Sequence, residues 1–216
     1  MKVSDLFSAE IEPDLNKWVR KFTTLSDLFS AMPQLYARLE SQSIQGIVED
    51  GAVIVGPVHI GMGSIVHGQA IIRGPAIVGN NTVVDSHVEI RAGAFIGSKC
   101  VIGHSCSIIK SMIMSHVNIS AGAVVRNSVI GCGSVVGPGA VLGTDEIEGL
   151  GSVSQILSKL GVVLGDYAVV GANSSIKSGT VVGSRTIIGE GVLAHGIYEP
   201  NQTVTLRQTV EIKPRG

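Results

Sequence analysis

From Val48 to Ile108 an aliphatic residue returns at every sixth position: Val48, Ile54, Ile60, Val66, Ile72, Val78, Val84, Ile90, Ile96, Ile102 and Ile108. A period of six fits neither the 3.6 residues of a helical turn nor the simple alternation of a long strand. It marks a chain that makes a short strand, turns a corner and repeats. Three units close one roughly triangular coil, and coils stack at the spacing of parallel strands, about 4.8 Å. The predicted fold is all-β, a parallel β-helix of about seven triangular coils built from about twenty such units.

The rhythm breaks once. Extended by sixes it lands on Met114, Ser120 and Arg126, and an arginine cannot continue an apolar file; by Ile130, Val136 and Leu142 the beat has returned, displaced. Two five-residue units, IIKSM (108–112) and VRNSV (125–129), restore the register. They fall on the same side of consecutive coils, so one side is contracted twice. That contraction predicts a shallow groove in which Ser111 and Ser128 stack beside Lys110 and Asn127. Easier corner packing is the plainer reason for the same contraction.

Around this array the chain divides into three. Residues 1–45 carry helical spacing in DLNKWVRKF and LSDLFSAMPQLYARLESQ, and form a predicted N-terminal helical cap. The hexapeptide SDLFSA occurs there twice, at Ser4–Ala9 and Ser26–Ala31. Each copy offers Ser as an N-cap, Asp in the first turn and a Leu-Phe pair to bury. Covering the open end of the stack and docking a protein partner are the two readings of it. Residues 46–202 are the β-helix, interrupted at 144–158 by TDEIEGLGSVSQILS, a protruding loop; residues 203–216 are a tail.

With 28 glycines, 4% aromatic and 15% charged residues, the composition suits tight corners rather than a mixed domain. No apolar run approaches the ~18 residues of a membrane helix, so no membrane is expected, and a net charge of −1 offers no general attraction to nucleic acid. The start MKVSDLFSAE carries no secretion pattern, and a cytoplasmic protein is expected. Cys100 and Cys106 take the small-residue slot of successive units, while Cys132 takes an outward slot. No metal is expected, because no Cys or His spacing pairs up as ligands.

The period also sorts the surface. Arg73, Arg91, Lys110 and Arg126 fall in successive coils at or next to the first outward slot, a predicted file of four cations on one face. Glu49, His67 and Asp85 take equivalent slots on a neighbouring face. Cations about 4.8 Å apart repel unless something negative compensates them. An intersubunit salt-bridge seam and a small anionic ligand, a phosphate or nucleotide, both answer that need. His104 and Ala121 share the third slot of successive units, so they stack one coil apart.

The six-residue grammar resembles the left-handed hexapeptide-repeat transferase superfamily, which implies left-handed coils. Residues 72–200 look most like the acetyltransferase domain of the bifunctional enzymes that acetylate glucosamine-1-phosphate and make UDP-N-acetylglucosamine. The stretches carrying this are IRAGAFIGSKCVIGH, KSMIM, RNSVIG, the interrupting loop and KLGVVLGD. The resemblance implies a homotrimer, acetyl-CoA or another acyl-CoA as cofactor, and a sugar phosphate or nucleotide sugar as acceptor. By the same resemblance Arg91 and Lys159 stand at sugar-phosphate positions, and Ala172 beside the thioester carbonyl. Other family positions hold different residues: Ile109 for the substrate lysine, Ala121 for the general-base histidine, Val124 for the tyrosine, Val135 for the sugar-binding asparagine and Glu190 for a small residue of the coenzyme groove.

The substrate-binding set expected here is Arg91, Lys110, Lys159, Ser111, Asn127, Arg73 and Arg126. His104 stands in as a displaced catalytic base or is an ordinary corner histidine. Two functions follow from this pattern: a CoA-dependent acyltransferase, or a non-catalytic trimeric binding or scaffold protein of the same fold. The nucleotidyltransferase half of the bifunctional enzymes has no counterpart in the sequence.

Overall fold

The computed structural model describes residues 41–91, 93–144 and 161–207, with Leu6, Phe7 and isolated positions among residues 27–39. The predicted helical cap and the loop 144–158 fall almost wholly outside the described residues, as does Lys159. The described strands form three parallel sheets of nine, nine and eight strands. The first face runs from Ser43–Ile44 to Ile197–Tyr198, the second from Ile47–Val48 to Thr203–Val204, and the third from Val53–Val55 to Leu193–Ala194. The ladder is thus longer than seven coils: it already begins at Ser43 and takes in Thr203–Val204 of the expected tail.

Each strand is two to four residues long, and its neighbour in the sheet lies one coil away in sequence. Ile72 pairs with Ile90 and Ile90 with Ile108, eighteen positions on each time. Then Ile108 pairs with Val125 and Val125 with Leu142, seventeen on. The slip in the sequence is therefore two shortened corners stacked on one another, at Lys110 and Asn127, both in left-handed backbone with φ of 45° and 47°.

The inward aliphatics make one continuous core: Ile60, Val66, Ile72, Val78, Val84, Ile90, Ile96, Ile102 and Ile108 are all fully buried. Burying each such side chain is worth roughly 1.5–3 kcal/mol, which repeats along the axis once per unit. Between the apolar files, small polar residues tie the coils together. Ser64 accepts the Thr82 N–H at 2.8 Å, and Thr82 Oγ1 accepts the Cys100 N–H at 3.1 Å. A buried hydroxyl is tolerated here because it both donates to a carbonyl and receives an N–H.

Ser111 and Ser128 belong to the same kind of internal ladder, which corrects the expectation that they line a groove. Both are wholly buried. Ser111 Oγ donates to Ile109 O at 2.8 Å and accepts the Ser128 N–H at 3.2 Å; Ser128 Oγ donates to Arg126 O at 2.6 Å and accepts the Val162 N–H at 2.9 Å. Contraction draws the two hydroxyls inside the prism, where they close the coil. At the next rung of this corner the described chain stops at Thr144 and resumes at Gly161. Gly161 lands so close that a Cβ there would collide with the carbonyls of Arg126 and Asn127.

Cys132 takes an outward slot yet is only 1% exposed, with its sulfur 3.8 Å from Met114 Sδ. It lies beside a stretch of the first face whose outward side chains, Met112, Val129 and Val163, are buried as well. Leu6 and Phe7, themselves fully buried, reach this region: Leu6 O accepts from the Asp166 N–H at 2.8 Å and from Ser184 Oγ at 2.9 Å.

Candidate active site

The third face carries the polar outward residues. Its file of second outward slots reads Val55 and Arg73, then Arg91, then Ile109 opposite Arg126. Ile109 holds the place expected of Lys110, which sits in the contracted corner instead and is exposed. The predicted file of four cations is thereby interrupted after Arg91. Arg73 and Arg91 are exposed, while Arg126 and Asn127 are half-buried at the contracted corner.

Arg91 is compensated from its own strand. Its Nε donates to Glu89 Oε1 at 3.0 Å and its terminal nitrogen to Glu89 Oε2 at 3.2 Å, a two-point pair. Residues two apart on a strand share a face, so the counter-charge comes from Glu89 rather than from the neighbouring face where it was expected. The acidic residues proposed there are engaged locally. Glu49 meets His67 Nδ1 at 3.0 Å and accepts the Gly68 N–H at 3.0 Å; that backbone bond first, and His67 second, hold its carboxyl below the usual range. Asp85 Oδ1 accepts the Ser86 N–H at 2.6 Å.

Across the third face from Arg91 runs the corner column between the second and third faces. Gly122 N–H bonds His104 O, Gly139 N–H bonds Ala121 O, Asn173 N–H bonds Pro138 O and Gly191 N–H bonds Ala172 O. These bonds fix the order His104, Ala121, Pro138, Ala172, Glu190. His104 is thus one coil from Ala121, and Ala172 lies in the same column two coils further on. His104 is exposed, and the His87 ring stands edge-on to it with centroids 5.0 Å apart. His87 is a neighbour that spacing alone does not reveal, because both rings lean from corners of different slots.

His87 and Arg91 bracket a single strand. Four residues at strand rise put them about 13 Å apart, with Glu89 between them and Ser107 on the next rung. His104 therefore does not meet Lys110, Ser111 or Asn127, which belong to the opposite corner of this face. Beneath the shelf, burial pushes the Cys106 thiol up, and the charge of Asp85 adds to this against opposing backbone N–H groups. Val124 stands on the third face and Val135 on the second, so they line different surfaces of one chain.

The shelf joins an imidazole pair, a strip of small corner residues and an anchored guanidinium. Such a set can remove a proton at one edge and hold an anion at the other. Among the described residues no group of three or more His, Cys, Asp or Glu side chains is placed to hold a metal. No helix among them is long and apolar enough to cross a membrane.

Comparisons with known proteins bear on this arrangement. A family model described as the GMPPB C-terminal domain matches residues 72–156. No curated protein matches the sequence. Among solved structures, the chain superposes on the UDP-N-acetylglucosamine O-acyltransferase of Moraxella catarrhalis with a TM-score of 0.52 and 18% identity, covering 76% of this chain and 67% of that one. It also resembles a Francisella novicida UDP-N-acetylglucosamine acyltransferase, with a TM-score of 0.48, 16% identity and coverage of 74% and 61%.

Proposed function

From a chain with the left-handed β-helix fold of the hexapeptide-repeat transferase superfamily, we propose an acyltransferase that moves an acyl group from acyl-CoA to a nucleotide sugar or sugar phosphate. The observation that carries this reading is the corner column His104, Ala121, Pro138, Ala172. Its small side chains leave a strip along the prism edge where a slender donor arm lies, ending at an exposed imidazole. Ala172 lies against the arm three coils from His104, about 14 Å back from the reacting thioester.

In this mechanism His104 takes the proton from the acceptor's amine or hydroxyl as that atom attacks the thioester carbonyl. The tetrahedral intermediate collapses by breaking the carbon–sulfur bond, and the departing thiolate receives the proton from His104. A positioned base of this kind supplies about 10²–10⁴-fold of rate. His87, edge-on, orients the ring. Glu89 occupies two of the five N–H donors of Arg91, which leaves three for the acceptor's phosphate. Arg73 and Lys110 add charge on either side, and Arg126 with Asn127 border the corner. Lys159 is the remaining cation proposed for this set, and Ser111 acts only as an internal brace.

The working form proposed is a homotrimer. On the second face Ile47, Val101, Val135 and Ile187 are 61%, 45%, 36% and 43% exposed, an aliphatic stripe that association would cover. Buried reduced thiols suit the cytoplasm as the setting.

Calorimetric titration with acetyl-CoA and longer acyl-CoAs tests the reading, followed by transfer assays on nucleotide sugars. His104→Ala is expected to abolish turnover with donor binding intact, and Arg91→Ala to weaken acceptor binding by ~1.5–3 kcal/mol. A chain that binds no acyl-CoA is not an acyltransferase. The second reading, a non-catalytic scaffold, is favoured by the aliphatic and alanine residues at Ala121, Val124 and Val135, and that result would establish it.

A further inference from the structure

The corner between the first and second faces is held by a relay of side chains. Each backbone N–H is received by a side-chain oxygen one coil further on: Met62 N–H by Asn80 Oδ1 at 2.8 Å, Asn80 N–H by Ser98 Oγ at 3.1 Å, and Ser98 N–H by Ser115 Oγ at 3.0 Å. It lapses at Cys132, which has no side-chain oxygen, and resumes from Cys132 N–H to Asp166 Oδ1 at 2.9 Å. At Asp166 it is interrupted. The next side chain in register is Ser184, but the Asp166 N–H goes to Leu6 O at 2.8 Å, and the Ser184 hydroxyl donates to that same oxygen at 2.9 Å. A peptide carbonyl from the N-terminal SDLFSA is spliced into the ladder, with Leu6 and Phe7 wholly buried against the molecule.

Ser184 Oγ stands in the register position from which Ser98 and Ser115 receive an N–H on earlier rungs, so the Leu6 carbonyl takes a place in the ladder that a side chain fills elsewhere. The same six residues recur at Ser26–Ala31, where Asp27 and Ser30 are exposed. Described residues show this seat at one place, whereas the sequence holds two ligands for it. Twenty-one positions separate Phe7 from Leu28. Fully extended they reach about 70 Å, enough to arrive at a neighbouring molecule.

We propose that the corner at Asp166 and Ser184 is a recognition seat for SDLFSA, and that the second copy, Ser26–Ala31, occupies this seat on a second copy of the chain. The resident first copy and the incoming second copy exchange with the same contacts, the situation in which swapping an element between protomers costs least. Within an oligomer both copies are tethered, so local concentration decides which one is seated. The seat lies on a different corner from the His104 shelf, and this proposal stands apart from acyl transfer.

The test uses a fluorescent peptide spanning Thr24–Leu35 and the full-length chain. Made in a chain whose second copy is already disabled by Leu28→Asp and Phe29→Asp, the double variant Leu6→Asp/Phe7→Asp is expected to bind the peptide about tenfold or more tightly than wild type, because no tethered competitor remains. A peptide carrying Leu28→Asp and Phe29→Asp is expected not to bind. If the double variant loses its β-sheet circular dichroism, Leu6→Ala serves in its place with the same expected direction. A photo-crosslinking phenylalanine analogue at position 29 then reports the occupant: crosslinks between differently tagged chains, suppressed by excess peptide, are expected. Failure of the peptide to bind the folded variants overturns the seat. Crosslinks confined to single chains overturn the exchange between copies.

Discussion

On the first face, His59, Ile77 and Phe95 fill the outward slots of three coils and are half-buried, while Met112, Val129 and Val163 fill them on the next three and are fully or almost fully buried. Behind both sets the inward residues are the same kind of aliphatic and equally buried. The repeat dictates the inside of the prism without dictating the outside. What lies against a face decides whether its outward side chains are core or surface, and the change falls where the corner contracts and where Leu6 and Phe7 reach the coils.

The sharpest way to break this comparison is to place a charge on each half. Val129→Asp is expected to cost about 3–5 kcal/mol, the scale for an uncompensated buried charge, and Ile77→Asp markedly less. Urea unfolding of the two variants decides; equal midpoints would mean that the two halves do not differ. A smaller effect is expected from Gly161→Ala, about 1–3 kcal/mol, since its methyl meets the Arg126 and Asn127 carbonyls of the contracted corner. Thermal unfolding measures it, and an unchanged midpoint would show that the loop stem is loose.

Ser128→Ala is expected to cost about 1–2 kcal/mol by leaving the buried Val162 N–H unreceived. Ser128→Cys, with a weaker acceptor, should fall between alanine and wild type in denaturant. The smallest effect concerns Cys106, whose thiol is pushed up by burial. A raised folded value means the native state holds the proton more tightly than the unfolded chain. Its contribution is complete below the unfolded pKa, about 8.5, and is lost as pH rises through the folded value. Cys106→Ser should flatten the alkaline decline of stability, and an identical decline in both proteins would assign it to other groups.

The β-helix, its three faces and both contracted units were legible because each rests on a strict count: six, five, and seventeen between contractions. The stacking of His104 on Ala121 followed from that count too, while the hydrogen bonds of the corner column add Ala172 to the line. Charge partners were harder. Arg91 found Glu89 on its own strand, a choice between a near and a far carboxylate that spacing does not rank. Direction was hardest. Ser111 and Ser128 sit in matched slots as the count requires, yet the shortened corner turns their hydroxyls inward. Cys132 takes an outward slot and is still buried, with its sulfur 3.8 Å from Met114 Sδ, a packing that the count does not carry.

Pairing offsets of seventeen and eighteen also set the sizes in which this chain can change length. Removing a whole coil joins strands that already face one another along the prism, so every side chain keeps its direction. Removing one residue inside a strand sends aliphatic side chains to the surface, whereas at a corner, as at Lys110 and Asn127, the inward file resumes with Ile113 and Ile130 fully buried. Whole-coil insertions and deletions tolerated between Ile47 and Thr144 should therefore come as quanta, eighteen residues before Lys110 and seventeen where the corner is short. Single-residue changes belong at corners, where the chain already carries two at Lys110 and Asn127, or beyond Thr144, where the described ladder stops.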